Sequence, residues 1–129
     1  MVESTQKLDE VVELIKLKQK LDAKELESYR KIFGERLDKA IESVKKKRVK
    51  KYVFKPSGIV RWIVVGKHKE HIILPEIRFC TCEDSFRQML DGKRPLCYHL
   101  IAQKIAEAIG KYEVIEEKDE MYRFLSIDW

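Results

Sequence analysis

The chain has 129 residues, 44% of them hydrophobic and 38% charged, with a net charge of +5 and three cysteines. That length suits one domain with its own core, and the charged share is well above the roughly 25% of an average soluble domain. No run of about 18 apolar residues can span a membrane, residues 1–6 carry no secretory leader pattern, and an odd cysteine count argues against a disulfide scaffold, so a cytoplasmic, intracellular protein is expected.

Residues 6–20 read as a helix, because Leu8, Val11, Val12 and Ile15 repeat at steps of three and four, with Leu14 at the margin of the stripe. Asp22, followed three residues later by Glu25, has the form of a capping box. A second helix is predicted over 23–47 from Leu26, Tyr29, Phe33, Leu37, Ala40, Ile41 and Val44. Gly34 lies inside it and weakens it by about 1 kcal/mol relative to alanine. Residues 1–48 thus read as a helical hairpin, whose apolar faces either cover the sheet that follows and each other, or form a docking surface for a protein partner or a dimer seam.

From Val49 the residue types change. Residues 49–54, 59–65 and 71–74 are rich in β-branched and aromatic side chains, and Lys55-Pro56-Ser57-Gly58 and Gly66-Lys67-His68-Lys69 read as turns between them. An antiparallel three-stranded meander is the simplest arrangement. A short strand over 77–79 then leads into the first cysteine. A third helix is predicted over 96–109, apolar at Leu100, Ile101, Ile105, Ala108 and Ile109 and stopped by Gly110. Beyond it, Tyr112, Val114 and Ile115 suit a short strand. Tyr122, Phe124, Leu125 and Trp129 suit a segment packed back on the core from a short helix after Asp119.

The chemistry is concentrated in Cys80-x-Cys82, fourteen residues, then Cys97-x-His99. Thiols at i and i+2 of an extended segment point to the same side and can share one ion. On a regular helix the same spacing sets side chains about 200° apart, so Cys97 is expected at the start of the third helix, outside regular helical geometry, with His99 in the first turn. Pro95 fits such a start, and the helix N-terminus favours a thiolate at Cys97. Three Cys and one His form a closed tetrahedral set suited to one Zn²⁺, leaving no open position, so the zinc is expected to be structural. Three buried apolar cysteines beside an unrelated histidine are the alternative. His68 and His71 read as a turn and a strand histidine, because no Cys or Asp at a clear spacing completes a second metal site with them.

Arg78-Phe79-Cys80-Thr81-Cys82 and Lys93-Arg94-Pro95-Leu96-Cys97-Tyr98-His99-Leu100-Ile101-Ala102 resemble the SWIM-type zinc finger family, whose pattern is Cys-x-Cys, a variable spacer, and Cys-x-His. The preceding hairpin with Gly58 and Trp62 is similar to the family's β-portion. The resemblance covers about residues 49–110 and carries over the four ligand positions one by one. It implies a module that binds DNA or protein. Small stand-alone members include recombination-mediator subunits working beside RecA-family paralogs. The chain carries no visible helicase or transposase segment, so its function would come from the module itself or from a partner chain. The fold class expected is α+β: an N-terminal helical hairpin (1–48), a SWIM-like module of antiparallel β-meander, zinc-binding loop and C-terminal helix (49–110), and a C-terminal segment (111–129) packing on the core, as one compact domain.

The positive charge is unevenly placed. Residues 45–71 carry 10 basic and 1 acidic side chains, net +9, whereas residues 1–44 are net −1 and residues 72–129 net −3. Lys45, Lys46, Lys47, Arg48, Lys50 and Lys51, followed by Lys55, Arg61, Lys67 and Lys69, could converge on phosphate backbones, DNA above all and without sequence preference. Arg87, Lys93 and Arg94 could extend that patch. Tyr52, Phe54 and Trp62 lie among the cations and would either stack on bases or serve as core. A Lys-rich helix end is also favoured by the helix dipole alone, so a solvated face is the alternative. Catalysis is not expected. No Gly-rich phosphate loop is present, and Glu83 and Asp84 beside a filled metal site would have no activated water.

Overall fold

The computed structural model describes residues 2–18, 23–66, 69–92 and 96–129. The capping residue Asp22, the turn residues Lys67 and His68, and Lys93, Arg94 and Pro95 of the spacer lie outside the described residues.

Three N-terminal helices come first: α1 (Val2–Lys18), α2 (Ala23–Phe33) and α3 (Glu35–Lys45). The helix expected over 23–47 is divided at Gly34. Its backbone, at φ 66° and ψ −144°, occupies a region that is nearly closed to other residues, so the glycine breaks the helix rather than merely weakening it. The apolar stripe nevertheless continues across the break. Leu8, Val11, Ile15, Tyr29, Phe33, Leu37, Ala40 and Val44 are all buried in one cluster, while Leu14 is exposed.

The strands are β1 (Val49–Lys55), β2 (Val60–Val65), β3 (Glu70–Leu74), β4 (Phe79–Cys80) and β5 (Glu113–Lys118). They form one five-stranded sheet of order β4-β3-β2-β1-β5. The expected antiparallel meander is present, with Val49 opposite Val64 and Trp62 opposite Ile73. The short strand predicted at 77–79 is displaced. Pro75–Ile77 form a 3₁₀ turn, and the strand is Phe79–Cys80, paired with Ile73 and Leu74. Pro75 has no N–H for a ladder bond, which suits the start of a turn better than the continuation of a strand.

Residues 113–118 make the sheet mixed, because β5 runs parallel to β1, with Lys50 opposite Glu113 and Phe54 opposite Glu117. A parallel partner needs a long crossover. Part of that crossover is α5 (Tyr98–Ile109), which contacts β1, β2, β3 and β4 on one side and α1 and α3 elsewhere on its surface. The sequence indicated one apolar face on this helix. Burial extends beyond one face, with Leu100, Ile101, Ala102, Ile105 and Ala106 all at 1% exposure or less, while Lys104 is half-buried and Glu107 exposed.

Alternation sorts the sheet into two faces. Val49, Trp62, Val64 and Ile73 join the helices in the main cluster. Tyr52, Phe54 and Ile63 form a second cluster on the opposite face, covered by Tyr122, Leu125 and Trp129 from the C-terminal segment. This segment contains α6 (Tyr122–Leu125), preceded by a 3₁₀ turn at Asp119–Met121. It is anchored by Ser57, whose N–H and hydroxyl donate to the Asp119 carboxylate (3.1 and 2.7 Å), and by Trp129 Nε1 donating to Glu70 (2.8 Å). Phe124, expected to pack inward with its neighbours, faces solvent.

Candidate metal centre

The four expected ligands are delivered by a strand end, two helix N-caps and a first helical turn. Cys80 ends β4, on the edge of the sheet. Cys82 is the N-cap of a helix not expected from the sequence, α4 (Glu83–Leu90), and its sulfur accepts the Ser85 N–H at 3.4 Å. Cys97 is the N-cap of α5 in an extended conformation, and His99 stands in the first turn of that helix, as expected from the x-spacing. Both N-caps place sulfur at the positive end of a helix dipole, where a thiolate is favoured. The signals for α4 were Glu83 and Asp84 in the first turn and Asp91-Gly92 at the end, since its N-cap, Cys82, is not one of the usual capping residues.

The three Sγ atoms and a His99 ring nitrogen all lie within 4.8 Å of one another, and the four residues are at most 4% exposed. A tetrahedral zinc with Zn–S near 2.3 Å holds its sulfurs roughly 3.8 Å apart, so the cluster is of the right size. Both ring nitrogens of His99 are buried without a hydrogen-bond partner, a costly state that a metal bond to one of them relieves. The thiols pull one another's proton affinities apart. Contacts from Cys80 and then Cys97 drive Cys82 well below the usual thiol range, and contacts with Cys82 and Cys97, reinforced by burial, drive Cys80 far above it. Cys97 is lowered by Cys80 but raised more by Cys82 and burial, ending at about 12. Three buried sulfurs this close ionise together only around a cation, which matches a Cys₃His zinc site.

The surroundings hold the ligands in place. Gln88, buried on α4, accepts the Leu96 N–H at 3.1 Å and donates to the Leu96 carbonyl at 3.3 Å, fixing the residue before Cys97. Arg36 on α3 makes two hydrogen bonds to Asp84 at 3.2 Å, and Arg87 pairs with Glu83 at 2.8 Å, so both carboxylates beside the centre are engaged. The Arg87 pair lies within α4. His71 on β3 sits with its ring centroid 4.4 Å from that of His99. A Cβ on Gly66 would meet the His71 ring at 2.9 Å, so glycine is what lets β3 approach there. Burial and the neighbouring His99 hold the His71 pKa below its ordinary value. Replacing Gln88 with Leu should leave the buried N–H and carbonyl of Leu96 unpaired, costing about 1–3 kcal/mol per group and weakening metal retention. Competition with a colourimetric zinc chelator measures the second effect, and unchanged retention would remove Gln88 from the support of the site.

Several of the basic residues named from the sequence are engaged within the chain. Lys45 and Lys47 are exposed at the end of α3 and just after it, and Lys46 pairs with Glu42 at 2.6 Å. Arg48 and Lys50 are half-buried, with Lys50 opposite Glu113. Lys51 lies 5.4 Å above the Trp62 ring, Lys55 pairs with Glu116 at 3.0 Å, and Arg61 packs over Tyr122 and donates to its hydroxyl at 3.3 Å. Tyr52, Phe54 and Trp62 are at most 7% exposed, so they are core and offer no stacking surface. Nothing local in the sequence signals that the acidic strand β5 comes to lie beside β1.

No family model matches the chain. It is 43% identical over 84 residues to an uncharacterised protein of Archaeoglobus fulgidus, covering 65% of this chain and 65% of that protein. It is 32% identical over 101 residues to the zinc finger SWIM domain-containing protein 7 homolog of Dictyostelium discoideum, covering 75% of this chain and 65% of that protein. The chain spans 65% of the length of each of these curated relatives. Among the described residues no helix is long and apolar enough to cross a membrane. The clustered Cys80, Cys82, Cys97 and His99, together with the Dictyostelium relative, fit a SWIM-like site for a single structural zinc, and the chain is a zinc-binding module.

Proposed function

We propose that this zinc-stabilised module binds nucleic acid, DNA in the first place, through phosphate contacts and without sequence specificity. The observation that supports this most is the net +9 of residues 45–71 against slightly acidic flanks. Phosphate neutralisation releases counterions, so such binding weakens steeply with salt. Measured over a salt series on mixed-sequence DNA, the binding constant should fall linearly on a log–log plot with a slope clearly below zero. Absence of binding at low salt would overturn the reading. The zinc is taken to be structural and the chain non-catalytic, because four protein ligands complete a tetrahedron and leave no position for an activated water.

A second reading is a protein-interaction subunit of a recombination or repair assembly, docking through the N-terminal helices onto a RecA-family paralog, as the SWIM resemblance implies. The exposed Leu14 and Leu17 on α1 and Ile32 on α2 favour it. Co-purification of a defined RecA-fold partner, abolished by Leu14→Glu and Leu17→Glu, would support it.

A further inference from the structure

Three strands begin at the same end of the sheet. β1 and β5 are parallel, and both β1 and β3 are antiparallel to β2, so Val49, Glu70 and Glu113 lie along one rim. Each start is preceded by cations: Lys47 and Arg48 before β1, Lys69 before β3, and Lys111 before β5. The rim is tied together by backbone bonds, with Val65 N–H donating to Arg48 and Gly66 N–H to Lys69, both at 2.9 Å. Lys47 and Lys111 line one groove with Gly110, Tyr112 and Glu113. Among the described residues none of these four cations is in an ion pair, and Lys47, Lys69 and Lys111 are exposed. Glu70, which accepts from Trp129 and keeps its charge, and Glu113 stand at the strand starts, and Glu42, paired with Lys46, is near Arg48, so the four cations are only partly offset. At the opposite end of the sheet Lys55 pairs with Glu116, Lys118 stands opposite Lys55, and the acidic Asp119 and Glu120 follow.

We propose that this rim, and not the strand lysines, is the nucleic-acid contact, and that its ligand is the backbone of duplex DNA. The proposal rests on the nucleic-acid reading and sharpens it. From β3 to β5 the rim crosses three strand spacings, about 14 Å. That is the axial reach of about four phosphates on one strand of a duplex. Single-strand binders add aromatic platforms to their cations, whereas here Tyr52, Phe54 and Trp62 are enclosed and the half-buried Tyr112 of the groove packs edge-on against Trp62. What remains is charge on a rigid edge, which suits a regular phosphate array. Lys111 enters the interface from outside the basic stretch 45–71, and Lys69 stays in it. Lys51, Lys55 and Arg61 leave it.

The test uses the zinc-loaded chain and a fluorescein-labelled 20-mer of mixed sequence, as duplex and as single strand, with anisotropy read across a salt series. Lys47→Ala/Lys69→Ala/Lys111→Ala should flatten the log–log slope on duplex by up to about 2.7, at about 0.9 for each phosphate no longer neutralised. Lys51→Ala/Lys55→Ala should leave slope and affinity as in the parent. Lys111→Glu alone, on an exposed turn, repeats the test at one position with little risk to folding, and zinc content should be unchanged throughout. If the strand pair loses binding and the rim triple does not, the placement fails while nucleic-acid binding stands. Tighter binding to the single strand than to the duplex overturns the choice of ligand. If the parent binds neither, the underlying reading falls as well.

Discussion

Removal of zinc is expected to loosen the ligand loop first and then cost the protein a large part of its stability. Structural zinc in small peptides binds with roughly 10–16 kcal/mol of apparent free energy, a range that overlaps the whole stability of a typical domain. β4 and α4 touch little of the rest of the chain, so their amides should lose hydrogen-exchange protection earliest. The effect should not stop there. Cys97 and His99 belong to α5, the helix that touches the sheet, α1 and α3, so releasing its first turn unsettles the main core. Cys97→Ser should therefore lower the melting temperature by about 10 °C or more, since a few kcal/mol shifts it by several degrees each in a chain this small. Metal affinity should also fall as pH drops, because the thiols and the imidazole must be deprotonated to bind. Stoichiometric zinc by elemental analysis of reduced protein, followed by calorimetry with and without chelator, measures both. Full protection of residues 79–100 after complete metal removal would show that the loop needs no metal.

The second large effect is expected at Phe54→Ala, at about 3–5 kcal/mol, the usual cost of deleting a buried aromatic ring. Phe54 is fully buried, with its ring 5.1 Å from Tyr122 and 6.2 Å from Trp129. Its loss removes the surface on which residues 119–129 are seated. The denaturant midpoint should drop, and the C-terminal segment should become accessible to protease while the zinc stays bound. The substitution also separates two roles for the strand aromatics. A base-stacking residue would weaken nucleic-acid binding and spare stability. Phe54→Ala is expected to do the reverse at temperatures where the variant stays folded.

The sequence alone determined more of the metal centre than of the fold around it. Two tight ligand pairs, with no cysteine left over, identify Cys80, Cys82, Cys97 and His99 whatever the intervening chain does. The helical placement of Cys97 and His99 follows from the same spacing. Periodicity of three and four, and β-branched runs with turn signals between them, marked the first helices, the meander and α5, because burial repeats locally along each element. Gly34 was visible, but its effect was not. A glycine within a helical pattern can be tolerated or can break the helix, and packing of the flanking segments decides which. α4 was hidden because its buried side chains are the polar Ser85 and Gln88 while Phe86 and Leu90 face outward, so the usual apolar stripe is inverted.

Only the tertiary structure decided what the positive charge amounts to. Counting along the chain sees Lys45–Arg61 as one patch. The fold sends alternate residues of β1 to opposite faces and encloses Tyr52, Phe54 and Trp62. It also brings Glu113, Glu116 and Glu117, more than fifty residues away in sequence, alongside the same strand. Electrostatic potential depends on distance in space, and a parallel strand pairing sets distances that no local pattern encodes. That pairing, together with the antiparallel pairs of the meander, gathers Lys47, Arg48, Lys69 and Lys111 onto one rim, because strands that start at one end of a sheet bring their preceding residues together.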